Sequence, residues 1–194
     1  MWQGAAKGCR DVIMVTLGTG VGGGIIVDGK VVAGFDGAGG EIGHITVNAH
    51  EKEQCNCGQY GCLEQYASAT GIVRVAQRTL ASTDEQTVLR KFTKLSAKNV
   101  LDAFKEGDKV ACDVMAQVGE MLGGTLAMFA CVTDPEAIVI GGGVSKAGQP
   151  LIDCIQKYYE KYAFTACKKT PIILATLGND AGIYGSARMV IKEV

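Results

Sequence analysis

Four residues close together in the chain have the donor chemistry of a metal site. They are His44, Cys55, Cys57 and Cys62, spaced His-x10-Cys-x-Cys-x4-Cys. Three thiolates and one imidazole make a tetrahedral zinc set, and a set with all four positions filled by protein is structural rather than catalytic. The spacing is not that of a zinc finger, so free thiols beside a core histidine are the alternative reading of the same residues. Gly58 and Gly61 let the run turn sharply and face its sulfurs inward. A metal here pins the residues around it, notably Glu41 and Glu64. Carboxylates fixed on a rigid loop suit bidentate hydrogen bonding to the vicinal hydroxyls of a sugar; the alternative for each is a solvated surface charge.

A second chemistry comes from two glycine turns that follow apolar runs. Gly18-Thr19-Gly20 opens a turn with little side chain over 18–24 that follows residues 11–16 (DVIMVT), and Gly141-Gly142-Gly143 follows residues 136–140 (EAIVI). Backbone N–H groups bared in such a turn can cradle phosphate, and the Thr19 hydroxyl adds a donor. No helix follows the first turn, so it is not a dinucleotide fingerprint. The second precedes a helical pattern and can admit a flat base or an anion. Singly each is an ordinary turn; together they point to a nucleotide.

The elements that must position these residues are legible in outline. Residues 11–16 predict a buried strand, and 25–27 with 31–33 predict a hairpin across Asp28-Gly29-Lys30. Residues 45–47 predict a short strand. Ser68 or Thr70 caps a helix that runs through Leu80. A polar connection over 82–95 holds one short helix, and Ser96 caps the next helix, over 97–106, which Gly107 ends. Asp108 caps a long apolar helix to Val132, whose Gly119, Gly123 and Gly124 predict close packing on a neighbour. Asp134-Pro135 stops it. A strand over 136–140, a helix over 151–162, a strand over 171–176 and a helix from Asp180 through Ile191 complete a crossover unit with parallel strands. The whole predicts one α/β domain over 1–194.

Composition excludes several classes. The chain has 194 residues, 19 Lys+Arg against 20 Asp+Glu and a net charge of −1, with no basic block. That leaves no bulk electrostatic attraction to nucleic acid or to an anionic membrane. At 47% hydrophobic and 20% charged, it can bury a core. No apolar run approaches the ~20 residues of a membrane span. The start has no signal-peptide pattern, so a cytoplasmic setting is expected. Five of the eight cysteines are scattered, where a free thiol acts as a small hydrophobe.

Gly40-Glu41-Ile42-Gly43-His44, followed by the run from Cys55 to Glu64 (CNCGQYGCLE), resembles the signature of the ROK family of repressors and sugar kinases. Within it the resemblance is closest to the bacterial glucokinases. Residues 15–24 resemble the family's second phosphate motif, 138–145 its adenosine motif, and 177–182 the start of its C-terminal helix. The resemblance implies an actin-like, ribonuclease-H-like ATPase fold with the nucleotide between two lobes. It implies Mg-ATP-dependent phosphorylation of the glucose 6-hydroxyl, beside a structural zinc. Glu41, His44 and Glu64 then contact sugar hydroxyls, His44 using one ring nitrogen for the sugar and the other for zinc. Gly18, Thr19 and Gly20 lie near the phosphates, and Gly141, Gly142 and Gly143 near the adenosine. A homodimer through this lobe is also implied.

One departure shapes the reading. The family's Asp-x-Gly-Gly-Thr phosphate loop does not occur in these 194 residues. The only Asn-Asp pair is Asn179-Asp180, not the pair that carries the family's general base. The chain therefore resembles the C-terminal lobe alone, with no catalytic residue of its own, and is expected to be inactive by itself. The alternatives are the sugar-sensing lobe of a ROK repressor, which would bind nucleic acid through an upstream helix-turn-helix, and a kinase for another hexose, such as N-acetylmannosamine or fructose.

Overall fold

The computed structural model describes residues 3–190. Five strands form one sheet in the order β3-β2-β1-β4-β5: β1 (Val12–Leu17), β2 (Val21–Val27), β3 (Lys30–Val31), β4 (Ala137–Gly141) and β5 (Ile172–Leu174). β1, β2 and β3 pair antiparallel, while β1, β4 and β5 are parallel. At the β2–β3 turn, Asp28 has φ 52° and Gly29 φ 73°. Two successive left-handed residues are what a tight hairpin turn needs, which is why Asp-Gly serves there. β4 is buried along its whole length, as a parallel strand covered on both faces should be.

Among the described residues six α-helices accompany the sheet: α1 (Glu64–Ala67), α2 (Ala69–Ser82), α3 (Ala97–Lys105), α4 (Lys109–Thr133), α5 (Gln149–Tyr162) and α6 (Ala181–Val190). Ser68 Oγ accepts from the Gly71 amide, Ser96 forms a capping box with Asn99, and Asp108 accepts from the Ala111 amide. Each cap satisfies an amide that the first helical turn leaves unpaired. Ile13, Val15 and Leu17 of β1 join Ile138 and Ile140 of β4 in the main core, against Leu122 and Leu126 of α4 and Ile155 and Tyr159 of α5. The opposite sheet face carries a smaller cluster, in which Val12, Ile26 and Val139 meet Ala6. α4 has the length and hydropathy to cross a membrane, but just over half of its most apolar window is buried inside the protein.

The structure departs from the sequence pattern in four places. Gly22, Gly23 and Gly24 are strand rather than turn, paired with Thr16, Val15 and Met14. A Cβ on Gly23 would fall 2.4 Å from the Gly40 carbonyl oxygen, so this strand is bare because a second loop lies on it. Residues 45–47 are not a strand. The Val47 and Asn48 amides both donate to the Gly61 carbonyl, and Thr46 makes only an isolated bridge with Cys62. β3 and β5 stop short of Ala33 and Thr176. Of the expected last helix, Ile191 lies outside the described residues.

α4 and α5 touch through backbone. A Cβ on Gly123 would meet the Tyr159 amide nitrogen at 2.7 Å and the Ile155 carbonyl oxygen at 2.8 Å. Neither atom can give way without moving a helix. Gly123→Ala gains helix propensity of ~1 kcal/mol but overpacks this contact. It is expected to destabilise the protein by a net ~1–3 kcal/mol, read as a lower urea midpoint at unchanged slope. An unchanged or raised midpoint contradicts the close contact.

Candidate metal centre and ligand site

A 3-10 turn over Ile42–His44 delivers His44 to the metal group. Its Nδ1 lies 3.8 Å from Cys55 Sγ, and Cys57 Sγ lies 3.6 Å from Cys62 Sγ. All four ligand atoms fall within 4.8 Å of one another. A tetrahedral zinc with Zn–S of about 2.3 Å has ligand–ligand edges of about 3.8 Å. The donor set and its spacing therefore fit a metal ion of that kind. Cys55 and Cys62 are buried, His44 half-buried and Cys57 exposed.

The loop reaches this shape through glycine. Gly58 has φ 90° and Gly61 φ 72°. A Cβ on Gly61 would sit 1.9 Å from the Asn48 carbonyl oxygen, so no other residue lets the two strands of the loop lie together. The Cys55 amide donates to the Gln59 carbonyl and the Gly58 amide to the Cys55 carbonyl. Burial, aided by hydrogen bonds to Cys57 and Cys55, pushes the Cys62 thiol up to about 12. The Gln59 backbone amide instead lowers that of Cys57. A buried thiol ionises there only if a cation replaces its proton.

Glu64 opens α1 beside this group and joins it to the first glycine turn. Its Oε2 accepts from the Val21 amide at 3.0 Å, and Cys55 Sγ lies 4.0 Å from its Oε1. A Cβ on Gly20 would lie 2.2 Å from Oε2, so the carboxylate rests on the bare turn. The Ala69 amide donates to the Gly18 carbonyl at 2.8 Å, and Thr70 Oγ1 donates to the Thr19 carbonyl at 3.1 Å. The N-terminus of α2 thus sets the orientation of the turn.

The second glycine turn stands beside the first. Gly142 has φ 86°, and a Cβ there would fall 2.4 Å from the Leu17 carbonyl oxygen. Gly141 ends β4 opposite Thr16 of β1. Both turns therefore leave the same ends of two parallel strands, the usual place for ligands in open α/β sheets. A Cβ added at Gly18 or Gly143 would meet open space. Glu41 is exposed, and among the described residues its carboxylate makes no hydrogen bond or ion pair. The structure thus brings His44, Cys55, Cys57, Cys62 and Glu64 together and sets Gly18–Gly20 against them, while among the described residues no side-chain hydrogen bond ties Glu41 to the group.

The sequence pattern missed a polar clamp around the loop between His44 and Cys55. Glu51, whose side chain is 3% exposed, takes Arg78 in a fork, at 2.7 Å to Nη1 and 2.9 Å to Nη2. It also accepts from the Tyr66 hydroxyl and from the Lys52 and Glu53 amides. These partners, Arg78 first, hold the Glu51 carboxyl well below the usual carboxylate range. Nothing local signals the pair, because the residues lie 27 positions apart.

The ROK family profile matches residues 1–193 of this chain. The glucokinase of Halalkalibacterium halodurans is 43% identical over 197 residues, covering 100% of this chain and 60% of that protein. The chain therefore spans about three fifths of that relative's length. A ROK family glucokinase from Streptomyces griseus, solved in complex with glucose and AMPPNP, superposes with a TM-score of 0.84 at 35% identity, over 95% of this chain and 62% of that one. The N-acetylglucosamine repressor of Escherichia coli O6:H1 is 32% identical over 181 residues, covering 93% of this chain and 44% of the repressor.

The clamp has a pH signature. A carboxyl with a depressed folded-state pKa contributes stability that is present above its unfolded value and lost as pH falls through the folded value. Unfolding of the native chain and of Glu51→Gln, compared across pH, is expected to show a stability gap that is constant from pH 7 to about 5 and closes below about 4.5. A gap that does not change with pH removes the charge from the clamp.

Proposed function

The chain belongs to the ROK family, and on that premise we propose that residues 1–194 are the C-terminal lobe of an actin-like sugar kinase that phosphorylates glucose at its 6-hydroxyl with Mg-ATP. The observation that carries this reading is the junction at Glu64. One carboxylate touches both the metal group and the turn Gly18–Gly20, so a sugar held by the first lies next to a phosphate held by the second. The adjacent turn Gly141–Gly143 adds bare backbone at the neighbouring strand end, suited to the adenosine.

In this reading Glu41, His44 and Glu64 take the sugar hydroxyls. His44 presents Nδ1 to the cysteines, which leaves Nε2 for a hydroxyl and fixes the tautomer. Gly18, Thr19 and Gly20 hold the phosphates through backbone amides and the Thr19 hydroxyl. A zinc ion on His44, Cys55, Cys57 and Cys62 supplies a structural pin that fixes His44 and the start of α1. The 6-hydroxyl attacks the γ-phosphorus, loses its proton to a carboxylate from outside residues 1–194, and ADP leaves. Positioning and charge stabilisation dominate such a transfer, so both lobes are needed. A homodimer in a reducing cytoplasm belongs to the same proposal; exposed Met128, Val132 and Phe164 at the ends of α4 and α5 support the former.

The repressor relative favours a second reading, a sugar-sensing lobe without catalysis. Nucleotide separates the two, because a sensor has no use for the two glycine turns. Calorimetric titration of the chain with a non-hydrolysable ATP analogue is expected to show binding, and binding of glucose without nucleotide favours the sensor. In a coupled assay for glucose 6-phosphate, the chain alone is expected to fall at least ~10²–10⁴-fold below ordinary kinase rates, the usual cost of a missing general base. Turnover at ordinary rates contradicts the proposal that the base lies outside these residues.

The metal is tested separately. Cys57→Ser is expected to lose most of the bound zinc and to unfold at a lower temperature, because metal affinity at a structural site is folding free energy. Unchanged zinc content and unchanged unfolding would remove the structural role of the group.

A further inference from the structure

The ten residues between His44 and Cys55 join the two halves of the metal group, yet they form no helix and no strand. A loop of that length does not hold its ends in register by itself; closing it costs entropy. Here it is held from α1 and α2. Gln65 Nε2 donates to the Glu53 carbonyl at 2.9 Å, and Asn48 Nδ2 donates to the Tyr66 hydroxyl at 2.9 Å. Arg74 Nε pairs with Glu53 at 2.9 Å, and Arg78 spans Glu51 and Glu53, at 2.7 Å and 3.0 Å. Arg74 and Arg78 are four residues apart on one helical face, so both reach the same stretch of loop.

The helix that carries them does not depend on the metal. Ile72, Val75 and Ala76 of α2 are buried in the main core, and its first residues bond the turn Gly18–Thr19. The carboxylate is the buried partner and the guanidinium is half-exposed, so the arginine reaches down from a fixed helix to secure the loop. The planar fork matches a carboxylate in a way that a lysine ammonium cannot.

We propose that Arg78, assisted by Arg74, is a positioning residue for the metal group: through Glu51 and Glu53 it keeps His44 and the three cysteines in register and so sets how slowly the metal is lost. This rests on the metal reading above. Without the clamp, the turn that carries Cys55 and Cys57 can swing away with the loop while His44 and Cys62 stay joined through the Ile45–Leu63 and Val47–Gly61 backbone bonds, and the metal leaves through that opening.

The test is zinc release from the loaded 194-residue chain into excess chelator, followed by the absorbance of the chelator complex. Arg78→Met keeps the aliphatic stem and removes the fork. It is expected to release zinc at least about tenfold faster, the lower end of what supporting residues contribute at metal sites. Arg78→Lys is expected to fall between the two. Glu51→Gln is expected to act in the same direction, and it serves if Arg78→Met does not fold. Cobalt-loaded Arg78→Met should keep the native visible absorption, because the four ligands are unchanged. Gly123→Ala, destabilised far from the loop, should release zinc at the native rate. Native release from Arg78→Met and Glu51→Gln, or equal acceleration by Gly123→Ala, overturns the proposal. A chain that takes up neither zinc nor cobalt overturns the metal reading and this inference with it, whereas stoichiometric loading with release insensitive to the clamp overturns the inference alone.

Discussion

The site depends on one hydrogen bond, from the Val21 amide to Glu64 Oε2. The residues it joins have little means of holding themselves. Gly18 to Gly24 offers two side chains, and the loop from Cys55 to Cys62 contains no helix or strand. A hydrogen bond to a charged acceptor contributes ~1.5–3 kcal/mol, about twice a neutral one. Placed at the junction, it makes the two weak segments into one surface. The geometry also excludes other residues: with the carboxylate over Gly20, no side chain fits beneath it.

Around that junction, apolar packing and polar contacts do different jobs. Apolar packing sets the large distances. β1 and β4 lie side by side in the core, and α4 meets α5 through glycine, so the strand ends that carry the two turns cannot drift apart. Close-packed interiors transmit such constraints with little give. Polar contacts set the small distances at the edge. Ala69 and Thr70 fix the turn at Gly18–Thr19, while Gln65, Tyr66, Arg74 and Arg78 fix the loop between His44 and Cys55. All of these sit on α1 and α2, which form the common support of both halves.

The same division decides what sequence reading can recover. Local signals worked where the cause is local. Ser96 and Asp108 cap the helices they precede, Asp28-Gly29 makes the turn, and His44 meets Cys55, Cys57 and Cys62. Failures occurred where a distant segment overrides a local preference. Gly22–Gly24 has the composition of a turn, but β1 supplies six paired positions and draws it into the sheet. Residues 45–47 have the β-branched composition of a strand, but the Gly61 carbonyl takes two of their neighbourhood's amides and no strand lies alongside.

The sequence by itself determined the family, the α/β class, the four candidate metal ligands and the two glycine turns, because residue type and short spacing carry that information. Only the tertiary structure decided that Glu64 spans both halves of the site, that Gly20 and Gly142 are bare because a carboxylate and the Leu17 backbone press on them, and that Glu51 is clamped by Arg78. Each of these joins residues from 27 to more than 100 positions apart. No local preference encodes such a pair; it exists only once the core has brought the strand ends and α2 to the same place.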